Sequence, residues 1–399
     1  MRPTERRLLF FLGLGACRGE APDALGGQQI DQLVDSLRPS VEKAVGLPFK
    51  TPPRSAMVTK DQVREYLMAK VEKEFPPERL EGVQAAYRLL GLIPDTLDLK
   101  RLLLDLYSEQ VAGYYDPETG VLYAVQGGDQ TQLRLVMAHE MVHALQHQYL
   151  PLDSLMLQQG DGDRLAASQA VLEGHATIAS IRILAPLADV VNSPEFWDTY
   201  REQVRNQQRT MPVFAKAPLV LREGLIFPYL GGAEFMQWWS RNEGTALPLG
   251  SQLPLSTEQV LHPERYLRKD LPIPIRFADS TAEVLYEDTL GELEIDILLA
   301  VLRGSEEAAL AVPLGWGGDR YRVYRTPDGP ALVWYLVWDG QPMADRFRQQ
   351  MTSGFIRRAR SGYRVTVEAM TIGGKPGLRI VHAPLAWPGR IPLPAVRLP

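Results

Sequence analysis

A single cysteine, Cys17, stands in 399 residues. That excludes a disulfide framework and leaves packing or a bound metal to stabilise the chain in any oxidising compartment. Past the N-terminus no stretch reaches the roughly 18–20 uninterrupted apolar residues that span a bilayer. The nearest, 165–191, is interrupted by Glu173, His175 and Arg182 and reads as a buried helix. A cationic excess is also missing: 43 Lys and Arg face 48 Asp and Glu, for a net charge of −5. No broad positive field is available to grip nucleic acid or anionic lipid, and nucleic acid is not an expected partner. What the chain does have is apolar residue, 45% of the total, enough for at least one full core. Its 33 glycines and 31 prolines mark many turns without reaching low complexity.

The N-terminus has the three-part form of an export signal. Arg2, Arg6 and Arg7 precede an uncharged, mostly apolar run, residues 8–16, that ends in small residues before the cysteine. Leu14-Gly15-Ala16-Cys17 resembles a bacterial lipobox, in which cleavage before the cysteine frees a thiol to carry lipid. The expectation is an exported protein of the cell envelope, anchored in the membrane through lipid on Cys17. Plain secretion is the alternative, and a cytosolic chain with an apolar start ranks third.

Residues 1–17 then form a lipoprotein-type signal peptide, and 18–59 a spacer helix around Ile30–Leu37 with a proline-containing linker. Helical spacing recurs over 60–74, 78–91 and 98–111, with Pro76-Pro77 and Pro94 as stops. Val111–Tyr115 and Val121–Val125 flank Asp116-Pro117-Glu118-Thr119-Gly120, a hairpin signal. Helix spacing returns over 130–149 and 163–185, while 186–285 is mixed and proline-rich. From about 286 a helix, a hairpin, a second helix and a second hairpin follow. The fold class expected is α+β: a mainly helical domain with a small sheet over 60–285, then a C-terminal α+β module over 286–399.

His139-Glu140-Met141-Val142-His143 is an HExxH motif inside a helical stretch. Histidines at i and i+4 share one helix face, so both imidazoles can reach one zinc ion. Glu140 falls beside that ion, where it can take a proton from water. A catalytic zinc needs a third protein ligand and an open position. The metzincin continuation fails at Gln146 and Tyr149. His147 lies eight residues from His139, about 12 Å of rise, too far to complete one tetrahedral site. Glu173 is the better third ligand: a carboxylate in an otherwise apolar helix, costly to bury unless a metal compensates it. Gly174 beside it would let the two ligand helices approach. The competing reading pairs Glu173 with Arg164 or Arg182 at a helix surface.

These residues, with Val111–Pro117, His139–Gln146 and Glu173-Gly174-His175-Ala176-Thr177, resemble gluzincin-type zinc metallopeptidases, among them poorly characterised bacterial and archaeal members. The similarity extends to Ser256–Tyr266 and Gly315–Tyr321, segments without an assigned role. The resemblance implies zinc-dependent hydrolysis of a peptide or protein substrate, with His139, His143 and Glu173 on the metal and Glu140 as base. Strand 121–125, read as an edge, would bind an extended peptide by strand addition. Candidate donors to the developing oxyanion are His262, Tyr266, Tyr114 and Tyr115, with His262 the first choice and a helix-capping role its competitor. Two rivals remain: a non-catalytic binding or assembly lipoprotein on a zincin-like fold, and a zinc hydrolase of a non-peptide amide or ester. Glu140 argues against the first, because a structural site needs no base.

Overall fold

The computed structural model describes residues 27–127, 130–150, 152, 160–185, 190–244, 247–248, 250–277, 283–305, 314–357, 360–388 and 396–397. The expected export signal, the lipobox-like segment and Cys17 lie outside these residues.

Helix α1 (Gly27–Val45) buries Ile30, Val34, Leu37 and Val41, a stripe at helical spacing. Strand β1 (Arg54–Val58) follows, then α2 (Lys60–Glu74), α3 (Pro77–Leu90) and α4 (Leu99–Gln110). Local chemistry sets these ends. Thr59 and Gln62 form a capping box on α2, Pro77 opens α3, and Gly91 closes it in the left-handed region at φ 74°. Asp98 caps α4 through the Arg101 N–H.

Strands β2 (Gly113–Asp116) and β3 (Val121–Val125) form the expected antiparallel hairpin. Strand β1 joins it in parallel along the far side of β3, giving the order β1-β3-β2. Two expectations are thereby corrected. The described part of the expected spacer and linker, residues 27–59, is not one, because α1 packs its apolar stripe into the core beside the fifth helix and β1 completes a sheet. Strand 121–125 is central, and both its edges are already paired, so it cannot accept a peptide by strand addition.

Helices α5 (Gln130–Tyr149) and α6 (Gly162–Leu184) carry the motif residues, followed by α7 (Pro194–Arg209), α8 (Leu219–Asn242) and the short α9 (Thr257–Leu261) and α10 (Pro263–Leu267). Helices α6 and α8 approach backbone to backbone through glycine. A Cβ on Gly174 would stand 2.1 Å from the Gly232 carbonyl oxygen, and one on Gly232 would stand 2.0 Å from that of Ala170. Gly174 therefore opens α6 towards α8, not towards α5 as its position beside Glu173 suggested.

The C-terminal part contains β4 (Arg276–Phe277), β5 (Val284–Asp288), α11 (Gly291–Arg303), β6 (Trp316–Tyr324), β7 (Ala331–Trp338), α12 (Gln341–Arg357), β8 (Tyr363–Ile372), β9 (Lys375–Pro384) and β10 (Val396–Arg397). Five strands form an antiparallel sheet in the order β5-β6-β7-β9-β8. Trp334 and Trp338 of β7 pack on Phe347 of α12. The opposite face is covered by Ile275, Phe277 and Trp387. The fold is α+β, helical first and sheet-centred later. One apolar core nonetheless runs through both parts, from Leu89 and Val171 to Leu298 and Trp334. The expected boundary at 285/286 falls inside β5, a strand of the C-terminal sheet, and does not divide two cores. Among the described residues no helix is long and apolar enough to cross a membrane.

Candidate metal centre

Helix α5 is buried without a break from Val136 to Gln146, with α1 and α6 packed against it. Its small residues Ala138 and Ala144 let these neighbours close in. The i, i+4 spacing puts His139 and His143 on one face, and α6 presents Glu173 to it. His139 Nε2 lies 3.0 Å from both Glu173 Oε2 and His143 Nε2, and His143 Nε2 lies 3.4 Å from the same carboxylate oxygen. All three side chains are buried. Glu173 therefore faces the histidines; Arg164 and Arg182 are not its partners in any ion pair among the described residues.

The donor set fits a metal ion. Ligand atoms at zinc bonding distance and tetrahedral angles stand about 3.3 Å apart, close to the separations observed. The protonation states agree. Burial pushes the His143 pKa down, prevailing over the opposite pull of Glu173. For Glu173, burial alone would raise the pKa, but the imidazoles of His143 and His139 bring it below the usual carboxylate range. Both shifts favour the deprotonated forms that ligate metal. His139, His143 and Glu173 are thus placed to hold a metal ion.

Glu140 is fully buried on the same turn, and its Oε2 accepts a 2.8 Å hydrogen bond from the Tyr115 N–H of β2. The Tyr115 hydroxyl lies 2.8 Å from His147 Nδ1. His147 is thus a hydrogen-bonding neighbour of the site and not a ligand.

His262 is corrected as an oxyanion donor. It forms the junction between α9 and α10, ahead of Pro263, with Nε2 3.6 Å from Glu292 Oε1. His262 stands at the N-cap position of α10 but makes no side-chain cap hydrogen bond, and it does not line the cavity that reaches Glu173. The Tyr266 hydroxyl donates to the Gln252 carbonyl oxygen, and the Tyr114 ring is stacked between Tyr66 and Tyr123.

The cavity itself, about 310 Å³, is bounded by α4, α6, α8 and α11, with Leu103, Leu221, Leu225 and Leu293 among its walls. Tyr229 of α8 lines it together with Glu173, and its ring centroid is 6.0 Å from that of His139. Sequence reading missed Tyr229, since no spacing rule ties position 229 to position 139. It also assigned no role to Gln146 and His175. The Gln146 side-chain nitrogen is 3.1 Å from the Leu172 carbonyl oxygen and 3.0 Å from His175 Nδ1, while its oxygen is 2.8 Å from His143 Nδ1. Gln146 sits one helical step beyond His143, and that spacing was the available signal.

Residues 282–374 match the model of a domain of unknown function, DUF8575. No curated protein matches the chain. Among solved structures, the chain is similar to a protein from Chloroflexus aurantiacus described as a candidate hydrolase with a novel fold. The likeness has a TM-score of 0.41 and 19% sequence identity, and covers 61% of this chain and 89% of that one.

Proposed function

We propose that this chain is a zinc-dependent hydrolase of peptide bonds, of gluzincin type, exported and lipid-anchored at Cys17. The observation that carries the reading is the convergence of His139, His143 and Glu173 in a buried cluster, with a buried carboxylate, Glu140, on the same helical turn. A structural metal site calls for ligands but not for a second, adjacent carboxylate held in place by the neighbouring strand.

His139 and His143 of α5 and Glu173 of α6 would hold the ion. Zinc supplies Lewis acidity, which polarises a carbonyl oxygen and makes a water more acidic. Glu140 takes the proton from the attacking water as the new C–O bond forms, and returns it to the amine nitrogen as the C–N bond breaks. The Tyr115 N–H fixes the orientation of the Glu140 carboxylate, leaving proton transfer to its other oxygen. Burial excludes bulk water from both carboxylates.

A second reading, hydrolysis of a small non-peptide amide or ester, is favoured by one observation. The cavity at Glu173 is near the small end of ligand pockets, and β3 has no free edge for an extended peptide.

Zinc per chain, measured by elemental analysis on the full chain, tests the metal. About one equivalent is expected in the wild type and in His147→Ala, and its loss in Glu173→Ala. A folded wild type that takes up no zinc would overturn the reading. Turnover of peptides against small amides and esters, with zinc-loaded Glu140→Gln as the inactive control, decides the substrate. Mass analysis of the mature N-terminus decides whether Cys17 is the lipid-bearing first residue.

A further inference from the structure

The hydrogen-bond network behind His143 has only one consistent arrangement of hydrogens. A backbone carbonyl oxygen can only accept, so the Gln146 atom 3.1 Å from Leu172 O is the amide nitrogen. That same nitrogen can only donate, so His175 Nδ1, 3.0 Å away, is an acceptor and the His175 ring hydrogen is on Nε2. The remaining amide atom is an oxygen, which only accepts. His143 Nδ1, 2.8 Å from it, must therefore carry a hydrogen. In the neutral ring that a metal requires, this leaves the lone pair on Nε2, the atom that faces His139 Nε2 and Glu173 Oε2.

We infer that Gln146 and His175 are positioning residues for the metal: a buried amide and imidazole that fix His143 as its Nδ1–H tautomer and tie α5 to α6 beside both ligands. The inference rests on the functional reading above and deepens it. Leu172 is the residue before Glu173, and His175 is two after it, so one amide registers His143 against the segment that carries the third ligand. Both amide hydrogens and one oxygen lone pair of Gln146 are used. Glutamate would keep the acceptor for His143 but set an oxygen against two acceptors, Leu172 O and His175 Nδ1. Leucine would keep the bulk and remove all three bonds.

The test uses the full chain, stripped of metal, with zinc affinity read by competition against a chromophoric chelator. Outer partners of metal-bound histidine typically carry about 10- to 100-fold in metal affinity. Gln146→Leu and Gln146→Glu are expected to lose zinc affinity in that range, while His175→Gln, which can still accept from Gln146, stays near wild type. Melting of the metal-free variants checks folding, and His175→Leu supplies a milder lesion. Long-range proton–nitrogen NMR of the imidazoles gives a readout independent of metal and of turnover. His143 should be the Nδ1–H form in the metal-free wild type and move towards Nε2–H in Gln146→Leu.

A wild-type His143 in the Nε2–H form, or a folded Gln146→Leu that binds zinc as tightly as the wild type, would overturn the inference. If the wild type takes up no zinc, the functional reading fails while the tautomer measurement still decides the role of Gln146.

Discussion

Glu173 and Asp319 are both buried carboxylates, and they differ in what surrounds them. Asp319 of β6 accepts four hydrogen bonds, from the Leu290 and Gly291 N–H groups at the start of α11 and from the indoles of Trp316 and Trp334. Burial still pushes its pKa up to about 6, but every direction of approach is met by a donor. Glu173 instead faces two imidazole nitrogens, one of which, His143 Nε2, is assigned a lone pair by the network behind it. A carboxylate that the protein saturates with its own N–H groups is a fastener. One that it aims at other electron-pair donors is a site that a cation completes.

The comparison breaks most sharply under substitution of each carboxylate. Glu173→Ala should lower zinc affinity by about a thousandfold or more, some 4 kcal/mol, yet leave a folded metal-free protein. Asp319→Ala should do the reverse. Stranding four buried donors should cost about 3–5 kcal/mol of stability, while whatever folds still binds one zinc. Denaturant midpoints and zinc titrations on both variants check this. Equal loss of zinc in the two would show that Asp319 belongs to the metal site after all.

A smaller effect concerns the scaffold of the site. Gly174→Ala places a methyl group against the Gly232 backbone, where no side chain can yield, and should cost about 3 kcal/mol by forcing α6 from α8. Because Glu173 is the adjacent residue, zinc affinity should fall with stability, as it would not for Asp319. Thr257→Val is milder. The Thr257 N–H donates to Asp163 on α6, and its hydroxyl accepts from the Leu293 N–H of α11. Losing the hydroxyl should cost about 1–2 kcal/mol, measurable as a shifted denaturant midpoint with zinc binding unchanged.

These contacts also give physical content to two segments whose sequences carried no readable role. Ser256–Tyr266 supplies Thr257 to the first turn of α6, and Gly315–Tyr321 supplies Asp319 to the first turn of α11. The metal triad was legible because two ligands obey a helix period and the third is a carboxylate in an apolar run. The hairpins and helices of the C-terminal part were legible from alternation and turn residues. Parallel pairing of β1 with β3 was not, since Arg54 and Val121 are joined by no local rule. Helix α8 was obscured by Pro228 within it, and Tyr229 and Gly232 went unnoticed with it. The Gln146 network depends on atoms of α5 and α6 meeting at one place, information that exists only after the chain has folded.

The pH dependence of stability separates a saturated acid from an under-compensated one. Glu294 of α11 lines the cavity, and its Oε1 accepts from the Tyr87 hydroxyl at 2.6 Å. Burial, chiefly, pushes its pKa up to about 8, with the hydrogen bond from Tyr87 pulling the other way. The folded protein therefore holds a proton that the unfolded chain releases, and stability falls as pH rises from about 4.5 to about 8, then levels. Glu294→Gln keeps the acceptor for Tyr87 and removes the ionisation. Its stability relative to wild type should be small at about pH 5 and grow steadily in its favour as pH rises towards about 8.5. Denaturant unfolding at the two pH values reads the difference. A gap that does not widen with pH would mean that Glu294 is as well compensated on folding as a solvated carboxylate, and that the cavity wall tolerates its charge.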